Sequence, residues 1–166
     1  MRSYFFVFAF VGIFLLSGTA QSDETKVELS EVPKSGIDAV KTMFPDAKIE
    51  GAAKETDDDK TVFEVTLKQK GRTIDVTIGA DGKIQVVEKE IAEKDLPTAV
   101  KKQLEAKYPK ATYKIVEQVE SMKDGKLVLD FFEVLLTTAD KQSIEAQIAP
   151  DGKVKAEEKK KPEDKD

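Results

Sequence analysis

The sequence predicts an α+β fold: two repeats of one helix plus four antiparallel strands, with the helices packed on one face of the sheet. Three observations carry this. The stretch Ile74–Val87, IDVTIGADGKIQVV, reads as strand, turn and strand, and Ile144–Val154, IEAQIAPDGKV, echoes it. Two short apolar-faced stretches each open at a proline and each stop at another, Pro33 to Pro45 and Pro97 to Pro109. An aromatic-Glu-Val strand core occurs twice, as Phe63-Glu64-Val65 and Phe132-Glu133-Val134.

Composition bounds the function. The 166 residues are 40% hydrophobic and 36% charged, with a formal net charge of −5. Mixed acidic and basic residues with an acidic excess argue against nucleic acid as partner, which leaves a basic footprint. There is no Cys and no His. Disulfides, thiol nucleophiles, zinc sites built on Cys or His and all histidine acid–base chemistry are therefore excluded.

Residues 1–20 read as a signal peptide. Arg2 is a short basic region, Tyr4–Leu16 an apolar core too short for a comfortable span, and Gly18 and Ala20 occupy small-residue cleavage positions. The expected location is periplasmic or secreted, with no membrane attachment after cleavage. Residues 21–31 are a polar linker.

The first unit covers residues 32–91. Pro33 opens a helix, where its missing N–H costs least. Ile37, Val40 and Phe44 share a face, and Pro45 ends it. Lys48–Lys54 is a weak strand. In Thr61–Leu67, Phe63, Val65 and Leu67 point one way and Val62, Glu64 and Thr66 the other. Lys70-Gly71 and Asp81-Gly82 mark turns, the latter read as a tight two-residue hairpin. The second unit covers residues 92–156, with Val100, Leu104 and Tyr108 on its helix face. The strands of both units are expected in one extended or two abutting sheets. Residues 157–166 are expected to be a disordered charged tail with little to bury.

Candidate chemistry is sparse. Asp57-Asp58-Asp59 offers oxygen ligands to a cation, but lacks the glycine turn and the following glutamate of a calcium loop. Asp81 and Asp151 are explained by turn geometry. No nucleophile has a base beside it, and no phosphate-binding glycine loop occurs. No catalytic residue, metal site or cofactor is expected. The informative stretch is LVLDFFEVLL: Phe132, Val134 and Leu136 should face the helix, while Leu127, Leu129, Phe131, Glu133 and Leu135 form an unusual apolar second face. Such a face marks either an internal interface or a partner-binding surface.

Taken together, Phe44-Pro45-Asp46-Ala47 with Tyr108-Pro109-Lys110-Ala111, the aromatic-Glu-Val strands, and Asp81-Gly82-Lys83 with Asp151-Gly152-Lys153 resemble tandem PepSY-like repeats, of the kind grouped with the β-lactamase-inhibitor-like fold. The resemblance implies an exported, non-catalytic, inhibitor-like module that binds another extracytoplasmic protein, with a peptidase as the implied partner class. It defines no active-site residue. The alternative expectation is a small-ligand or cation-binding protein that uses acidic loops.

Overall fold

The computed structural model describes residues 25–57 and 60–160. The expected signal peptide, residues 21–24 of the expected linker, residues 161–166 of the tail and Asp58-Asp59 of the acidic loop lie outside the described residues, as does the side chain of Asp57. Nine strands run β1 (Thr25–Val27), β2 (Lys48–Asp57), β3 (Lys60–Gln69), β4 (Arg72–Gly79), β5 (Ile84–Glu90), β6 (Thr112–Lys123), β7 (Lys126–Thr137), β8 (Ser143–Ile148) and β9 (Val154–Lys160). Two helices, α1 (Lys34–Met43) and α2 (Thr98–Lys107), interrupt them.

This corrects the expected fold class. The chain does not form two helix-plus-four-strand repeats of α+β character. It forms one antiparallel sheet, mostly β, in which all nine strands neighbour each other in chain order. The joining contact is β5 with β6, which gives one extended sheet and not two abutting ones. Val86 to Glu90 pair in continuous register with Ser121 to Glu117, across the whole α2 connection. Periodicity shows where strands lie; it does not show which strands pair across a long link. A further strand, β1, sits in the stretch read as linker and pairs with β2 from Thr25↔Lys54 to Val27↔Ala52.

Local chemistry explains the elements. Each helix starts directly after a proline, Pro33 or Pro97, and ends at an aromatic residue followed by a second proline, Phe44-Pro45 or Tyr108-Pro109. The Phe44 and Tyr108 amides close the last turns on the Val40 and Leu104 carbonyls, both at 2.8 Å. The tight two-residue turns are Lys70-Gly71 and Asp124-Gly125, where all four φ angles are positive. At Asp81-Gly82 only the glycine has positive φ, +77°. There the Gly82 amide bonds the Gly79 carbonyl and the Asp81 carboxylate accepts from the Lys83 amide, making a three-residue connection. A Cβ on Gly82 would also meet Ser35 Oγ at 2.0 Å. Gly82→Ala is expected to cost about 1–2 kcal/mol, read as a lowered urea midpoint, through left-handed strain and displacement of the α1 start. An unchanged midpoint would show that the turn relaxes freely.

Alternation along the paired strands defines two sheet faces. On one, α1 covers Phe63, Val65, Leu67, Val76, Ile78 and Val87, and α2 covers Val116, Phe132, Val134, Leu136, Ala146 and Ile148. A polar seam separates these two cores on the same side: Lys89 pairs with Glu120 at 2.5 Å beside Gln118. Among the described residues no helix lies on the other face, and that face holds the candidate site.

Candidate functional site

Six adjacent strands place carboxylates on the helix-free face. Among them are Glu64 (β3), Asp75 (β4), Glu88 and Glu90 (β5), Glu117 (β6), Glu133 (β7) and Glu145 (β8). Asp75 lies directly opposite Glu88, and Glu117 directly opposite Glu133. Like charges so placed are destabilising in a sheet. They are also deep: Glu88 is 8% exposed, Glu133 2% and Glu145 6%. Carboxylate oxygens of Glu88, Glu117 and Glu133 all lie within 4.8 Å of one another.

Burial dominates the electrostatics. It pushes Glu88 up to about 9, with the Glu133 and Glu117 charges adding to it. It raises Glu133 to about 8, where Glu145 adds and the Gln147 hydrogen bond opposes. Glu117 rises to about 7 by burial and the Asp75 charge, and Asp75 to about 6 by burial against a hydrogen bond from Thr66. Glu145 is raised by burial and drawn back by Lys160, 3.1 Å away. The causes are those expected of acids removed from water and set beside like charges. The arrangement can hold protons, or a cation in their place.

The structure divides the residues singled out in LVLDFFEVLL. Phe131, Glu133 and Leu135 lie on the helix-free face. Leu127 packs against the α1 core and Leu129 against the α2 core, on the opposite face. The cause is a β-bulge: Val119 opposes Phe131 while the next residue, Glu120, opposes Leu129, leaving Asp130 as the extra residue. One added residue reverses the alternation. Phe131 is 2% exposed, next to Val119, with Lys155 Nζ 4.8 Å above its ring. Leu135 is half-buried between Ile115 and Glu145. Ile115 is 36% exposed, and Val128, opposite Ser121 on the same face, is 42% exposed.

Sequence reasoning overlooked Glu64, Asp75, Glu88, Glu117 and Glu145. The available signal was an acid set between strand-forming residues near the middle of strand after strand, as in Phe-Glu64-Val, Ile-Asp75-Val and Phe-Glu133-Val. Asp81 and Asp151 stay in their own exposed turns. Each accepts its Lys83 or Lys153 amide at 3.1 Å and pairs with the same lysine at 2.8 Å.

No protein-family model matches the chain, and no curated protein does. Solved structures do resemble it. A DUF2874 family protein from Bacteroides uniformis is 17% identical with a TM-score of 0.59, over 76% of this chain and 88% of that one. A BLIP-like protein from Bacteroides fragilis is 19% identical with a TM-score of 0.57, over 81% and 91%. A protein of suggested periplasmic location from Bacteroides eggerthii is 17% identical with a TM-score of 0.61, over 77% and 88%. At these identities the likeness is one of fold. Among the described residues no helix is long and apolar enough to cross a membrane.

Proposed function

We propose that the chain is an exported, non-catalytic binding protein, periplasmic or secreted, that receives a partner protein on the helix-free face of its sheet. The observation that carries this is the make-up of that face: Ile115, Val128 and Leu135 surround a diagonal of carboxylates, and neither helix covers them. Exposed apolar residues beside uncompensated acids favour a partner that brings apolar contacts and lysine or arginine side chains. Export is supported by the leader-like residues 1–20 and by the location suggested for the Bacteroides eggerthii protein. The PepSY-like resemblance makes an extracytoplasmic peptidase, restrained on binding, the partner class to test.

The experiment is capture of a partner from envelope extract, followed by direct binding of that purified partner. Ile115→Ser with Leu135→Ser is expected to weaken binding at least about tenfold while the melting temperature moves by only a few degrees. Raised salt should weaken it as well. Binding that survives both would move the docking surface elsewhere, and a peptidase partner that keeps full activity when bound would remove the restraint.

A further inference from the structure

We propose that Glu88, Glu117 and Glu133 form a binding site for one hard divalent cation of calcium size. The chain balances the neighbouring acids itself. Lys160 pairs with Glu145 at 3.1 Å and Lys68 with Glu90 at 3.9 Å, while Lys89 is held by Glu120 on the opposite face. The three central carboxylates have no such partner among the described residues. Glu88 makes the point independently of the clustering. It is 8% exposed, it has no hydrogen bond or ion pair among the described residues, and the charges acting most strongly on it are negative. A buried carboxylate without a partner is costly unless something cationic reaches it.

Size and ligand type narrow the occupant. Two oxygens bound to one ion lie at most twice the metal–oxygen distance apart. That limit is about 4.6–5.2 Å for calcium and about 4.0–4.2 Å for magnesium. All three oxygens lie within 4.8 Å of one another, inside the pairwise limit for calcium. Hard carboxylate oxygens without nitrogen or sulfur donors favour the same class of ion, with water completing the shell. Gln147 Nε2 donates to Glu133 Oε2 at 2.9 Å and so orients that ligand from β8.

The test is calorimetric titration of the purified, chelator-treated protein with calcium chloride, which needs no partner protein. Its failure and the failure of the docking reading are therefore distinguishable. One ion per chain is expected, with a dissociation constant of about 1 mM or tighter. Glu88→Gln and Glu117→Gln should each weaken binding at least about tenfold. In chelator the Glu88→Gln protein should melt no lower than wild type, yet gain nothing from calcium; this separates a lost site from a lost fold. No heat and no rise in melting temperature at about 10 mM calcium would overturn the proposal. So would binding retained in both glutamine variants, or magnesium binding more tightly than calcium.

Discussion

Raising the pH from about 5 to about 9 in chelator is expected to cost the fold on the order of 5 kcal/mol. Glu133 alone accounts for this size: its ordinary value is 4.5 and burial raises it to about 8. The sign follows from proton counting. Below the ordinary value both folded and unfolded chains carry the proton. Above it the unfolded chain loses the proton while the folded one keeps it, so stability falls as pH rises through the window. The fall continues until the folded group also ionises, near 8 for Glu133 and near 9 for Glu88. The groups facing this pair are Asp75 from β4, Glu117 from β6, and Glu145 and Gln147 from β8, with Lys160 of β9 against Glu145. Only Lys160 among them is a cation, and it opposes the trend. Urea unfolding across this range would measure the effect, with a melting temperature falling by about 10–20 °C. Glu133→Gln should flatten the profile. A wild-type profile that is flat or rises with pH would mean that the carboxylates are ionised and paired in the fold.

The second large effect separates two adjacent leucines. Leu136→Ala is expected to cost about 3 kcal/mol, and Leu135→Ala less than about 1 kcal/mol. Leu136 is fully buried in the α2 core with Leu104, Val134 and Ile148, where truncation leaves a cavity. Leu135 points to the helix-free face opposite Ile115 and is already half in water. Urea midpoints for the two variants would decide it, and equal losses would contradict the face assignment of β7. Further along the strand the bulge adds a check. Leu129 is helix-side despite standing two residues from Phe131, so a lesion there belongs with the α2 core.

Much of the local structure was legible in the residues. Pro33, Pro45, Pro97 and Pro109 bound both helices because proline suits a first turn and its predecessor avoids the helical basin. Phe63, Val65 and Leu67 face the helices because a strand alternates with period two. Glycine marked turns correctly, although the tight two-residue geometry belongs to Lys70-Gly71 and Asp124-Gly125, not to Asp81-Gly82.

Three features were settled only by tertiary structure. Pairing of β5 with β6 makes one sheet of the whole chain, because hydrogen-bond partners are chosen in space across a connection of any length. The bulge at Asp130 reverses the faces of Leu127 and Leu129, because a single unpaired residue shifts every side chain beyond it. The carboxylate diagonal exists only through register. Glu88, Glu117 and Glu133 are scattered along the chain, and cross-strand pairing brings their oxygens within reach of one ion. Sequence by itself determined what each strand would bury and where each helix would stop, since those depend on neighbours along the chain. The sheet decided which acids would meet, since that depends on neighbours across it.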